Sequence, residues 1–127
     1  MSVKGPPPRA MAFDRAMADA ALRLRAGDPA AAFAQLERAH VLGQRDLRRH
    51  ARVHLRMLRV AWAQRDGREV RGQLLRLFLV PLGHLSGRLP RGNTGGSNVS
   101  AFVPMAIPPE LERLLDDGPH PSHEASP

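Results

Sequence analysis

The chain has 127 residues, no cysteine and a formal net charge of +7, and 43% of its residues are hydrophobic. The length suits one domain with a modest core, and the lack of cysteine excludes disulfide bonds and thiolate metal sites. The sequence shows neither a signal-peptide pattern nor an apolar run of membrane-spanning length, so we expect a cytoplasmic protein without a membrane partner.

The composition divides the chain into three parts. Residues 1–9 contain three successive prolines, and residues 118–127 are rich in glycine, proline, serine and histidine. Such compositions are typical of disordered tails. We therefore predict a single helical domain at residues 10–117 between two disordered tails, at 1–9 and 118–127.

Two helices are predicted in the first third of the domain. The first covers about residues 10–25, and the second covers about residues 29–42, with Asp28 as its N-cap and Gly43 after its last turn. The stripe that the second helix would bury consists of Phe33, Leu36, Glu37 and His40. Two polar side chains therefore lie on or beside a buried face.

A third and a fourth helix follow. Asp46 caps the third, which runs to about Gln64, and a capping box at residues 66–69 starts the fourth. The stripe that the third helix would bury comprises Leu47, His50, Ala51, His54, Met57, Leu58 and Ala61. The fourth helix is predicted to point Val70, Leu74, Leu77 and Phe78 inward and to be kinked or ended by Pro81 and Gly83.

The last part of the domain has a different character. Residues 91–100 form a Gly/Asn-rich loop, residues 101–107 an extended segment, and residues 110–117 a short helix after two prolines. No segment alternates long enough to indicate a sheet. We predict an all-α fold of two antiparallel helical hairpins, four helices in a tetratricopeptide-like arrangement, with the Gly/Asn loop and the short helix packed over them.

Four potential metal ligands meet at one level of the predicted hairpin between the second and third helices. Glu37 and His40 have Glu-x-x-His spacing, and His50 and His54 lie four residues apart, so each pair shares a helix face. A turn at Gly43 places Glu37 opposite His54 and His40 opposite His50. This register predicts a mononuclear site for one divalent transition metal, Fe, Zn or Mn. A dinuclear carboxylate site would need a second Glu-x-x-His motif.

Alternatives to the metal site stay open at this point. The same four residues also suit a polar patch in the core, with Glu37 paired to a histidine, to Arg38 or to Arg52, and with the histidines bonded to each other and to water. His84 is a candidate accessory residue, as a further ligand or a proton shuttle, and its alternative is a place in a surface loop. The sequence contains no recognisable nucleophile–base set, so whether the protein is an enzyme is left undecided.

The positive charge is concentrated in the third and fourth helices. Residues 45–76 hold ten arginines and three acidic residues. One face of the third helix carries Arg45, Arg49, Arg52, Arg56 and Arg59. We favour a solvated face, which can also meet an acidic protein partner, and a homodimer is the other expected association. Few aromatic residues and no recognised motif argue against nucleic acid.

The Gly/Asn loop contains a candidate anion-binding segment, formed by Gly92, Asn93, Thr94, Gly95 and Gly96. It has no lysine and no strand before it, so it is neither a P-loop nor a dinucleotide fingerprint. A tight turn, in which glycine and asparagine adopt positive φ, is the favoured interpretation.

Three separated motifs give the chain a family resemblance. They are residues 36–44 (LERAHVLGQ), the His50-x-x-x-His54 helix and residues 92–100 (GNTGGSNVS). Over residues 13–111 the chain resembles a family of short bacterial proteins, domain of unknown function 3703. The resemblance implies one coherent domain and no assigned activity. The leading functional hypothesis, a mononuclear metal-binding protein or small metalloenzyme, rests on spacing and register. Its alternative is a tetratricopeptide-like interaction module with structural histidines and a basic face.

Overall fold

The computed structural model describes residues 8–87, 89–100 and 102–116, and it confirms the all-α prediction, since no strand occurs in these ranges. The helices are α1 (Pro8–Arg25), α2 (Pro29–Gly43), α3 (Leu47–Ala63), α4 (Gly67–Ser86) and α5 (Pro109–Asp116). Most of the two predicted tails lies outside the described residues. Pro8 and Arg9, which were assigned to the N-terminal tail, belong to α1.

An aspartate caps the start of α2, α3 and α4. Its carboxylate accepts a backbone N–H three residues later: Asp28 from Ala31, Asp46 from Arg49 and Asp66 from Glu69, at 3.0, 3.0 and 3.1 Å. The reciprocal half of the predicted capping box is not formed. The Glu69 carboxylate instead accepts from the backbone N–H of Ser97 and from the Gln73 amide. It therefore binds the loop that follows α4.

The helices pack in chain order. α1 lies on α2, α2 on α3 and α3 on α4, while α5 contacts α1 and α2. The buried core cluster contains Phe13, Ala16, Met17, Ala20, Leu36, Ala39, Val41, Leu42, Val53, Met57, Val60 and Leu111. α1, α2, α3 and α5 thus supply the apolar core, whereas the specific two-hairpin, tetratricopeptide-like arrangement stays a prediction. None of the five helices has the length and apolar character that a membrane span requires.

The buried face of α3 differs in part from the predicted stripe. His50, His54, Met57 and Ala61 are buried as expected, and Val53 and Val60 join them. Leu47, predicted to be buried, is 47% exposed. It is the first residue of the helix.

The prediction for the inward face of α4 is wrong for Leu74 and Phe78, whereas Val70 and Leu77 are partly buried. Its buried residues are Gln73, Arg76 and Val80, whereas Leu74 is 52% and Phe78 71% exposed. The polar face is turned inward because Gln73 and Arg76 find hydrogen-bond partners there, on α3 and on the Gly/Asn loop. The leucine-rich face of α4 is left in contact with solvent.

The loop after α4 folds over the helices and is tied together by Asn93. The Asn93 side-chain amide donates to the carbonyls of Ser100 and Val103, at 2.7 and 2.8 Å, and its Oδ1 accepts from the N–H of Gly95 at 2.9 Å. Asn93 is 2% exposed. These bonds fix the loop conformation that faces the histidines.

Candidate metal centre

Three buried histidines converge on one point between α2 and α3. The Nε2 atom of His40 lies 3.1 Å from Nε2 of His50 and 3.1 Å from Nε2 of His54. The ring centroids are 4.8, 4.8 and 4.9 Å apart, nearly an equilateral triangle. His50 and His54 share one face of α3 because they are one turn apart. The three rings can present one ligand atom each to a single ion.

In His40 and His54 the other ring nitrogen, Nδ1, donates to an oxygen that can only accept a hydrogen bond. Nδ1 of His40 donates to the backbone carbonyl of Asn93, and Nδ1 of His54 donates to Oε1 of Gln73 at 2.7 Å. The Gln73 amide can adopt only this orientation, because its Nε2 donates to Glu69 Oε1 at 2.8 Å and to the Gly95 carbonyl at 2.9 Å. In their neutral forms His40 and His54 therefore carry the proton on Nδ1 and a lone pair on Nε2.

This assignment creates an unsatisfied contact at the centre of the cluster. His40 and His54 direct two lone pairs at each other across 3.1 Å, with no hydrogen to share. The pair repels unless a cation, or a water molecule that donates to both nitrogens, lies beside it. Histidines that bind a metal characteristically donate their other N–H to a carbonyl or a carboxylate, as these two do to a carbonyl and an amide oxygen.

His84 lies behind His50 and supports it. Nε2 of His84 is 3.0 Å from Nδ1 of His50, and either ring can donate in this pair. When His50 donates, all three Nε2 atoms carry lone pairs. When His84 donates, His50 can satisfy His40 through Nε2–H, but the contact between His40 and His54 remains unsatisfied. His84 reaches this place because α4 continues through Pro81 to Ser86.

The surroundings keep the three rings neutral. Burial is the main cause in each: it lowers the pKa of His40 well below the ordinary value, the pKa of His50 to about 3 and the pKa of His54 to about 4. The neighbouring histidines lower the pKa of His40 and of His50 further. Neutral imidazole is the form that binds a metal.

Glu37, the fourth predicted ligand, is not in the group of converging ligand atoms, which comprises His40, His50 and His54. It is half-buried, and its carboxyl pKa is raised, first by burial and then by the negative charge of Glu69. Its role as a ligand stays a prediction. His40, His50 and His54 also line a cavity.

The cavity in front of the histidines has a volume of about 240 Å³. Its walls are largely apolar and include Leu79, Val80, Leu82, Leu89, Pro90 and Phe102. Arg76 and Gly95 also line it. A ligand can therefore reach the point where the three Nε2 atoms converge.

The Gly/Asn loop surrounds the site with backbone carbonyls. The carbonyls of Asn93 and Gly95 accept from His40 and Gln73, and those of Gly96 and Val99 accept from Arg76. The backbone carbonyls of the candidate anion-binding segment thus accept hydrogen bonds from side chains of the protein itself. Binding of an external anion by Gly92, Asn93, Thr94, Gly95 and Gly96 stays a prediction.

Two residues of the site, Gln73 and Arg76, were not predicted from the sequence, and Asn93 was predicted only as part of a possible anion-binding segment. The available signal was a glutamine and an arginine three residues apart within the otherwise apolar run of residues 72–83. Their roles depend on which way α4 faces and on where the loop returns.

The basic face lies on another side of α3, with Arg45 in the turn just before the helix. Arg45, Arg52, Arg56 and Arg59 are exposed, and Arg49 is partly buried and pairs with Asp46 at 3.3 Å. The guanidinium groups of Arg49 and Arg52 lie 5.7 and 5.9 Å from the centroid of the Phe13 ring. An acidic partner for this face stays a prediction.

Comparison with known proteins agrees with the resemblance noted in the sequence. Neither a curated protein nor a solved structure is significantly similar to the chain. One family model matches, and it covers residues 8–115, nearly the whole described part of the chain. The chain therefore belongs to the family described as "Protein of unknown function (DUF3703)".

Proposed function

We propose that this chain is a mononuclear metal-binding protein that holds one divalent ion through His40, His50 and His54. The observation that carries the proposal is the contact between Nε2 of His40 and Nε2 of His54, 3.1 Å apart, in tautomers that leave a lone pair on both. Without a metal ion, this contact would need either a charged ring in a buried place or a water molecule from the cavity that donates to both nitrogens. A metal ion removes the repulsion.

The separations suit a first-row ion. An ion about 2.1 Å from two nitrogens that are 3.1 Å apart makes an N–metal–N angle of roughly 95°. This angle lies nearer to one face of an octahedron than to a tetrahedron, and three imidazoles suit Fe, Zn or Mn. Three protein ligands and an open side are typical of catalytic metal sites. The ion would then act as a Lewis acid or activate a water molecule, in a small metalloenzyme.

Metal titration of the tag-free protein tests the proposal. Fe²⁺, Zn²⁺, Mn²⁺ and the spectroscopic probe Co²⁺ are added to chelator-treated protein, and bound metal is counted by elemental mass spectrometry. We expect one ion per chain and a raised melting temperature. The double variant His50→Ala, His54→Ala should lose the ion, whereas the matched control Arg56→Ala, Arg59→Ala, on the exposed face of the same helix, should keep it.

Two results would overturn the proposal. One is a wild-type protein that binds none of the four ions and whose melting temperature none of them raises. The other is a His50→Ala, His54→Ala variant that is helical by circular dichroism and retains one ion per chain. Since the melting temperature of the wild type is measured without any substitution, a variant that fails to fold does not remove the test.

A second candidate function, protein association, is favoured by the exposed apolar face of α4. Leu74, Phe78, Leu82 and Leu85 follow one another at helical spacing, and Phe78 and Leu85 are 71% and 85% exposed. A contiguous apolar patch of this kind marks interaction surfaces. We infer that the occupant is a second copy of the chain, because pairing two such faces about a two-fold axis buries both.

Light scattering coupled to size-exclusion chromatography tests this association. We expect a dimer for the wild type and a monomer for Phe78→Ser, Leu85→Ser. Two exposed polar positions on the same helix, Arg68 and Arg71, provide the control when changed to serine. A wild type that stays monomeric at all accessible concentrations would exclude the dimer.

A further inference from the structure

The cavity in front of the histidines contains a buried positive charge. Arg76 lines it and is only 8% exposed. The guanidinium donates to four neutral acceptors: the carbonyls of Gly72, Gly96 and Val99, and Ser97 Oγ. Its Nε has no hydrogen-bond partner. Within the described part of the chain no carboxylate forms an ion pair with Arg76.

The nearest negative charge does not neutralise this arginine. Glu69 acts on Arg76 at a distance, while its carboxylate is bound by the Ser97 N–H at 3.0 and 3.1 Å and by Gln73 at 2.8 Å. Arg76 lines the same cavity as His40, His50 and His54, so its charge lies close to the ligand nitrogens. The cavity and the histidines thus lie in one positive field.

A divalent ion on three neutral histidines increases this excess. Imidazoles bring no negative charge, and a buried charge is costly unless it is paired. The double charge of the ion and the single charge of Arg76 therefore exceed the negative charges of Glu69 and of the nearby Glu37 together. The open coordination position should favour an anion over a neutral ligand.

The walls limit what the rest of the ligand can be. Leu79, Val80 and Phe102 are among the apolar side chains around the cavity, and they offer no hydrogen bonds to further charged groups. A ligand with several charges would leave oxygens unpaired against these side chains. A ligand with one anionic group and an apolar chain satisfies both the cation pair and the walls.

We infer that the cavity binds a small monocarboxylate with an apolar chain. The carboxylate occupies the open position on the metal, in the field of Arg76, and the chain lies along Leu79, Val80 and Phe102. This inference rests on the proposed metal site. It identifies the chemical class of the ligand without assigning a reaction.

Spectroscopic titration of the Co²⁺-loaded protein tests the inference. Acetate, butanoate, hexanoate, 1-hexanol and inorganic phosphate are added separately, and the visible absorption of the bound Co²⁺ is followed. We expect affinity to rise roughly fourfold with each buried methylene from acetate to hexanoate. Hexanol and phosphate should bind much more weakly than hexanoate. Arg76→Gln should weaken hexanoate binding about tenfold, whereas Arg76→Lys, which keeps the charge, should retain most of it.

Failure of this inference is distinct from failure of the metal site. Bound Co²⁺ together with equal affinity for acetate and hexanoate, or for hexanoate and hexanol, would overturn the carboxylate proposal and leave the metal site intact. Preference for phosphate would do the same. Absence of bound Co²⁺ would overturn both. The ligand series uses the wild-type protein, so it decides the matter even if Arg76→Gln does not fold.

Discussion

The imidazole of His40 lies directly against the backbone of Gly95. A Cβ at position 95 would be 2.5 Å from Cδ2 of the ring and 2.9 Å from Nε2, distances at which something must move. Gly95 has a φ of +82°, and its N–H donates to Asn93, whose carbonyl accepts from His40. The loop and the ring therefore form one unit, and the position of a ligand nitrogen depends on a residue without a side chain.

Gly95→Ala should disturb the metal site more than it disturbs the fold. Gly27 is the matched control, because its φ is +79° and nothing lies within 4 Å of the Cβ position. Alanine at either position costs about 1–2 kcal/mol from the left-handed backbone, but only alanine at 95 displaces His40. We expect Zn²⁺ affinity, measured by competition with a chromophoric chelator, to fall at least about tenfold in Gly95→Ala alone. Equal affinities in the two variants would contradict this.

Gln73→Leu should lower metal affinity without removing a ligand. Gln73 holds the Nδ1 proton of His54 and is itself held by Glu69 and the Gly95 carbonyl. Loss of such an orienting partner typically costs about 10–100-fold in metal affinity. The exposed Gln64 supplies the control substitution Gln64→Leu. If both variants bind Zn²⁺ as the wild type does, Gln73 does not orient His54.

The metal-free protein should lose stability in mild acid. The pKa of a histidine in the unfolded chain is near 6.5, whereas burial lowers the pKa of His50 to about 3, the pKa of His54 to about 4 and the pKa of His40 well below 6.5. Below 6.5 the unfolded state binds protons that the folded state does not. The free energy of unfolding should therefore fall as the pH is lowered, by about 1.4 kcal/mol per histidine and pH unit.

Urea unfolding in the presence of a chelator, from about pH 7.5 to about pH 5, measures this slope. Carboxylates contribute over the same range, so the informative quantity is the difference between the wild type and His50→Ala, His54→Ala. The variant should have a shallower slope because two of the three buried rings are gone. A variant slope equal to that of the wild type would show that these rings are not buried in their neutral form.

Local signals predicted the helices well, since each of α2, α3 and α4 starts at an aspartate cap that is recognisable in the sequence. The spacing of His50 and His54 and their register with His40 also predicted the cluster. The Glu37 side chain is not in the group of converging ligand atoms. Residues three apart on a helix share a face, but their side chains point in directions that diverge by about 60°. Register along a helix therefore identified the level of the site and not every side chain that reaches it.

The inward face of α4 was not predictable from its own apolar pattern. Hydrophobic spacing favoured Leu74 and Phe78 as buried residues, whereas the structure buries Gln73 and Arg76. Their partners include carbonyls of a loop about twenty residues later in the chain, a tertiary contact that no local pattern contains. Hydrogen bonds to that loop outweighed the burial of two apolar side chains.

The orientation of α4 can be tested by comparing two phenylalanines. Phe13 is fully buried in the core, whereas Phe78 is 71% exposed. Phe13→Ala should reduce the free energy of unfolding by about 3–5 kcal/mol, because it leaves a cavity among packed side chains. Phe78→Ala should change it by about 0.5 kcal/mol or less when urea unfolding is measured at a concentration where the chain is monomeric. A comparable loss for Phe78→Ala would mean that its ring packs in the core, and the polar face of α4, with Gln73 and Arg76, would then have to face away from the histidines.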